Sequence, residues 1–209
     1  MSLRLVVISD THGLHDQVEV PPGDILIHAG DMSRRGALDE VRSFDRFLGR
    51  LDHPHKLVIA GNHDFCFERQ PAAARRVLRH ATYLEDDAIS IEGVRFYGSP
   101  WQPWFYNWAF NLRRGAEIRA KWDEIPDDTD VLITHGPPLG HGDETVRGEA
   151  VGCADLLARI QQVKPRYHLF GHIHEAVGTT TDGTTTFVNA STCNLAYRPV
   201  HPPVVIDYP

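Results

Sequence analysis

The sequence predicts an α/β protein in which two β-sheets pack together and helices cover the outer faces. Three observations predict this. Short, β-branched apolar runs alternate with longer amphipathic stretches through the first half. Hairpin-like, antiparallel patterning becomes commoner later in the chain. The 209 residues are 42% hydrophobic and 23% charged, a globular composition, and a chain of this length can bury roughly 70% of its unfolded surface. One domain over residues 1–209 is expected. No repeat, low-complexity tract or long linker interrupts it.

Leu3–Ser9 reads as a buried strand, being short, β-branched and followed by a polar loop. Asp24–His28 and Lys56–Ala60 are further runs of this kind. Between them, Ala37–Arg50 has helical spacing, with Leu38, Val41, Phe44, Phe47 and Leu48 on one face. Pro71–Arg79 reads as a short helix with proline in its first turn. Ala88–Ile91 and Val94–Tyr97 flank Glu92-Gly93 as a hairpin. Arg114–Asp123 is predicted helical, Asp130–Thr134 a buried strand, Glu149–Gln162 a helix and Tyr167–Phe170 a strand. From Ala176 to Ile206 the chain is β-rich, turning at Asp182-Gly183 and Pro202-Pro203.

Composition narrows the function. The formal charge of −7 argues against broad nonspecific binding to nucleic acid or an anionic membrane. Cys66, Cys153 and Cys193 form no disulfide framework, which favours a reducing compartment. The apolar run at the N-terminus is too short for a signal peptide or membrane span. A cytoplasmic protein is therefore expected. Its oligomeric state is left open, a homodimer included.

Five predicted strands run directly into metal-competent side chains. These are Asp10-Thr11-His12, Gly30-Asp31, Gly61-Asn62-His63-Asp64, Thr134-His135-Gly136 and Gly171-His172-Ile173-His174. Ligands of open α/β sheets gather beyond the carboxyl ends of strands. Imidazole and carboxylate together suit borderline divalent metals, and a carboxylate has two oxygens with which to reach two ions. Each motif alone is common by chance. Their joint occurrence, each after a strand, points to a metal site.

The five blocks together resemble the signature of the calcineurin-like metallophosphoesterase superfamily. The resemblance implies a four-layer αββα sandwich and a centre of two divalent ions, with manganese, iron or zinc favoured and magnesium admissible. It assigns Asp10, His12 and His174 to one ion and Asn62, His135 and His172 to the other, with Asp31 bridging. His63 would face the substrate and Asp64 would orient His63. Gly98-Ser99-Pro100-Trp101-Gln102-Pro103-Trp104-Phe105, Trp108-Ala109-Phe110-Asn111 and Asn189-Ala190-Ser191-Thr192-Cys193 are similar to a narrower group of metallophosphoesterase-domain proteins. That group, first noted in vertebrate brain and with bacterial relatives, resembles class III cyclic-nucleotide phosphodiesterases. Some of its members are weak enzymes that have lost the first histidine of the last block; here His172 is present.

The expected activity is hydrolysis of a small phosphodiester, with cyclic nucleotides the leading substrate class. A hydroxide held between two cations is available near neutral pH and would attack phosphorus in line. His63 would protonate the leaving oxygen. A nucleotide-binding regulatory protein with vestigial catalysis, or a phosphomonoesterase or protein phosphatase of the same superfamily, is the alternative. Arg34 or Arg35 is a candidate to hold a phosphate oxygen, with Arg35 named, and His141 a candidate to line the pocket; for each, a solvated surface position is the reading set ahead of it. His28 and His168 read as core histidines, and Asn194 and Tyr197 as turn residues ahead of the alternative that they reach substrate. The aromatic stretch Trp101–Phe110 is expected to serve packing before base contact.

Overall fold

The computed structural model describes residues 2–209. Its first sheet contains β1 (Leu3–Ile8), β2 (Ile25–Ala29), β3 (His55–Ile59) and β4 (Thr82–Tyr83). These four are parallel neighbours, and β13 (Val204–Tyr208) pairs antiparallel with β1 at the opposite edge. In the second sheet, β6 (Val94–Ser99), β9 (Val131–Thr134), β10 (Tyr167–Phe170) and β12 (Thr186–Asn189) are parallel. Antiparallel β5 (Asp87–Ile91) and β11 (Gly178–Thr181) close its two edges. Antiparallel pairing is thus a property of edges and not of the chain's second half. The two-residue strands β7 (Gln102–Pro103) and β8 (Asn111–Leu112) brace the aromatic stretch.

Strand alternation builds the layers. On β1, Leu5 and Val7 face the second sheet and join Phe96, Val131, Ile133, Leu169 and Val188 in the central core. Val6 and Ile8 point the other way, onto Val41, Phe44 and Leu48 of α1 (Leu38–Leu48) and Ala74 of α3 (Pro71–Val77). Across the molecule, Leu132 and Phe170 pack on Ile118 and Trp122 of α4 (Ala116–Trp122) and Leu156 and Ile160 of α5 (Ala154–Val163). Helix, sheet, sheet and helix therefore stack in four layers, as expected. Each fully buried Leu, Ile, Val or Phe contributes about 1.5–3 kcal/mol through its removal from water.

The helices follow local chemistry. Glu40, in the first turn of α1, accepts from the backbone N–H groups of Ala37, Arg34 and Arg35, satisfying donors that a helix start leaves free. Pro71 occupies the first turn of α3, as predicted. A short helix that the sequence did not announce, α2 (Phe65–Arg69), follows the third block directly. Helix α5 starts at Ala154, later than predicted. Residues 149–153 are held out of the helix by backbone pairing: Ala150 bridges Glu144, and Cys153 donates to the Pro137 carbonyl and accepts from the Leu139 N–H. The Cys153 sulfur then accepts from the Leu156 N–H.

Candidate metal centre

All five blocks meet at the carboxyl ends of parallel strands, where the two sheets lie side by side. Asp10, Asp31 and Asn62 follow β1, β2 and β3; His135 follows β9; His172 and His174 follow β10. The turns that aim them are tight. Asp10, His12, Asp31 and His172 all adopt positive φ, between 44° and 70°, a conformation that costs an L-residue about 1–2 kcal/mol. Gly171 is packed so closely on the Asp10 carboxylate and Ser9 that a Cβ has no space. Gly61 lies equally close to Asp31.

Each buried carboxylate divides its labour. Asp10 Oδ2 accepts from Ser191 Oγ at 2.9 Å and from the His172 N–H at 3.0 Å, while Oδ1 lies 3.2 Å from His174 Nε2. Asp31 Oδ1 accepts from the His63 N–H at 2.8 Å. Its Oδ2 faces three rings, at 3.4 Å from His135 Nε2, 3.8 Å from His12 Nε2 and 3.9 Å from His63 Nε2. Asn62 Oδ1 sits 2.9 Å from both His135 Nε2 and His172 Nδ1. The far ring nitrogens are spoken for: His135 Nδ1–H donates to the Ala29 carbonyl and His174 Nδ1–H to that of Asn194. A bound cation would then take the inward nitrogens as lone-pair donors, in place of the protons they share with the carboxylates.

This donor set fits divalent cations. Two buried anions and converging imidazole nitrogens need positive charge. Among the described residues, the ion-pair partners of Asp10 and Asp31 are all histidines. His12 Nε2 and His174 Nε2 stand 3.2 Å apart, a separation suited to a shared proton or a cation nearby. Burial would raise the Asp31 carboxyl, but the charge and hydrogen bond of His135 outweigh it and hold Asp31 well below the usual range. Burial would likewise lower His135, yet the facing Asp31 lifts it to about 9. His12 and His172 are pushed down by burial, to about 4 and about 3. Mutually close donors form three overlapping groups: Asp10, His12 and His174; His12, Asp31 and His63; and Asp10, Asp31 and His135.

The family model described as calcineurin-like phosphoesterase matches residues 3–176. The chain belongs to that family. It is 46% identical over 231 aligned positions to metallophosphoesterase domain-containing protein 1 of Homo sapiens, covering 99% of this chain and 71% of the human protein. It is 26% identical to the 3′,5′-cyclic adenosine monophosphate phosphodiesterase CpdA of Escherichia coli strain K12, covering 84% and 63% of the two chains. The solved structure of TT1561 from Thermus thermophilus shares the fold, with a TM-score of 0.61, 15% identity and 99% coverage of both chains.

Some residues of this candidate centre stand differently from expectation. Asp64 does not touch the His63 ring. Its carboxylate accepts from the N–H groups of Gly61, Asp31, Met32 and Ser33 and from Ser33 Oγ, pinning the second block to the third. Burial and the nearby Asp31 charge push Asp64 up to about 6 despite those donors. His63 is oriented instead by the Arg34 carbonyl, which accepts from Nδ1–H at 2.9 Å. Arg35 is exposed, and its backbone N–H bonds Glu40. Arg34 is the arginine on the site side, its guanidinium 5.8 Å from the centre of the Tyr197 ring. His141 stacks on Phe187 at 3.7 Å and bonds Thr180, so it belongs to the second sheet's outer face and not to the cavity.

The cavity above the cluster, of about 180 Å³, is lined by Asp31, Asn62, His63, His172 and His174 and walled by Phe105, Trp108, Leu195 and Tyr197. Sequence reasoning set packing and turn structure ahead of substrate contact for Phe105, Trp108 and Tyr197, and did not single out Leu195. Asn194 and Tyr197 do form the expected turn, in which Asn194 Oδ1 accepts from Ala196 and Arg198. That turn also delivers the Tyr197 ring to 4.8 Å from His12. The aromatic stretch divides. Phe110 is buried and Trp101 half-buried, as packing predicts, whereas Trp104, Phe105 and Tyr106 are exposed. Only the distance between blocks, closed by folding, reveals that this loop borders the centre.

Proposed function

We propose that this chain is a metal-dependent phosphodiesterase acting on small phosphodiesters, with cyclic nucleotides the leading class. The observation that supports it is the buried set of carboxylates and imidazoles that converges on Asp10 and Asp31. Asp10, His12 and His174 would hold one divalent ion, and Asn62, His135 and His172 a second, with Asp31 between them. Such ions supply Lewis-acid charge for phosphoryl oxygens and lower the pKa of a bound water towards 7. The chain's own residues do the rest. The Arg34 carbonyl accepts from His63 Nδ1–H and turns Nε2 towards the cavity, where the ring, as an imidazolium protonated on both nitrogens, would deliver the Nε2 proton to the leaving oxygen. Phe105, Trp108, Leu195 and Tyr197 limit water and bind the apolar part of the substrate. Manganese is the metal to try first, for a mixed nitrogen and oxygen set.

We read residues 1–209 as one domain, since both sheets contribute to the same central core. The three cysteines are unpaired and buried, which supports a cytoplasmic setting. No helix among the described residues is long and apolar enough to cross a membrane.

The test is hydrolysis of bis-p-nitrophenyl phosphate and of 2′,3′- and 3′,5′-cyclic AMP by metal-stripped protein, with and without Mn²⁺. Turnover is expected only with metal, and Asn62→Ala is expected to lower it by about 100-fold or more. Nucleotide binding by folded protein with no turnover under any metal would replace this reading with the regulatory one.

A further inference from the structure

We propose that Trp108 is a positioning residue for His63, the working face of a stacked column that runs from the surface to the cavity. This inference rests on the phosphodiesterase reading. The Trp108 and His63 rings are 4.3 Å apart and tilted by 32°. Behind Trp108, Phe65 stacks at 6.0 Å and 29°, and the Arg69 guanidinium covers Phe65 at 4.3 Å. On the other side, His12 meets His63 edge-on at 4.6 Å.

His63 needs this support. Its ring has one hydrogen bond, from Nδ1–H to the Arg34 carbonyl. A single bond fixes one point and leaves the plane free to swing about it. The indole limits that freedom, because at 4.3 Å and a tilt of 32° it closes off one side of the imidazole, while His12 meets the ring edge-on at 4.6 Å. Trp108 is itself anchored. The N–H of the next residue, Ala109, donates to the Asn62 carbonyl at 3.1 Å. The Phe110 N–H donates to Glu68 of α2 at 2.8 Å, and the Phe110 side chain is buried in the helical layer. The loop is thereby fastened to the block that carries Asn62 and His63. Its exposed tip, Trp104 to Tyr106, takes no part in this fastening.

The consequence concerns the leaving group. In hydrolysis a bond forms between phosphorus and the water oxygen, and the bond to the leaving oxygen breaks. The electron pair stays on that oxygen, which takes the proton from His63 Nε2. The proton lost by the attacking water passes to solvent, and His63 regains one from solvent. A misaligned His63 therefore harms esters of weakly acidic alcohols and spares those whose leaving phenolate is stable alone. General acid catalysis is worth about 10²–10⁴-fold. Trp108→Leu is expected to forfeit about 10–100-fold of it with the poorest leaving group.

The experiment measures kcat/KM for a series of substituted-phenyl methyl phosphates, from nitro to methoxy, with Mn²⁺-loaded parent, Trp108→Leu and Trp108→Phe. The expected result is a steeper dependence on phenol acidity in Trp108→Leu, largely restored by the flat ring of Trp108→Phe. A uniform loss across the series, with unchanged slope, would show that Trp108 only binds substrate and would overturn the proposal. Turnover absent in the parent would instead defeat the phosphodiesterase reading. NMR gives a readout independent of activity. The His63 ring protons are expected to carry an indole ring-current shift that disappears in Trp108→Leu, and unchanged His63 resonances would refute the stack itself.

Discussion

At the scale of single residues, the centre is built by hydrogen bonds that occupy one oxygen of each carboxylate and leave the other for the histidines. Ser191 shows how. Its hydroxyl holds Asp10 Oδ2 at 2.9 Å and lies at the same distance from Asn189 Oδ1. Asn189 is fixed in turn by donating to the Gly142 and Ile173 carbonyls. Ser191→Ala leaves Asp10 Oδ2 only the His172 N–H. We expect a folded protein whose Mn²⁺ affinity falls about 10–100-fold, read by competition with a chelating dye. Unchanged affinity would mean that Asp10 is oriented by its backbone alone. Asp64 shows the complementary case. A carboxylate beside a histidine in sequence was expected to serve the ring, but five donors of the surrounding backbone and Ser33 claim it first.

At the scale of elements, each sheet has a buried histidine in a central parallel strand. His28 of β2 lies 3.0 Å from Thr11 Oγ1, next to Asp10, and His168 of β10 lies 2.8 Å from Thr134 Oγ1, next to His135. Thr134 Oγ1 donates to the Gly136 carbonyl, so it accepts from His168 Nε2–H. Burial pushes both rings down to about 3. An unfolded imidazole takes up its proton near about 6.5. Between those values the unfolded chain binds more protons, so stability is complete above about pH 6.5 and is lost as pH falls towards 3. Each ring contributes a slope of about 1.4 kcal/mol per pH unit. Urea unfolding of His168→Gln and its parent, at about pH 7 and about pH 5, isolates one ring. The variant is expected to be weaker at the higher pH and to lose less on acidification; parallel losses would disprove a neutral buried His168.

At the scale of the whole molecule, the centre fastens one sheet to the other. Asp10, Asp31 and Asn62 come from the first sheet, and His135, His172 and His174 from the second. Cations bound there would link the two halves and compensate buried carboxylates. A ligand at about 100 times its Kd stabilises the state that binds it by about 2.7 kcal/mol. We expect Tm to rise by several degrees with Mn²⁺ and to fall when EDTA removes it, with a smaller response in Asn62→Ala. An EDTA-insensitive Tm in protein shown to contain metal would count against a link between sheets.

Much of this was legible beforehand because the signal is local. Strand runs, the apolar face of α1, the proline at the start of α3 and the donor blocks after strands all lie within a few consecutive residues. Helix α2 was not legible, since its five residues are too few to show periodicity. Neither was the late start of α5, which depends on Cys153 pairing with the distant Pro137–Leu139 segment. The sequence by itself determined which side chains could hold metal and that each would stand at a strand end. Only the tertiary structure decided that Arg34 offers its carbonyl to His63, that Tyr197 and Trp108 wall the cavity, and that His141 stands apart. Those outcomes turn on which loops meet above the sheets, and contacts between residues far apart in the chain leave no periodicity along it.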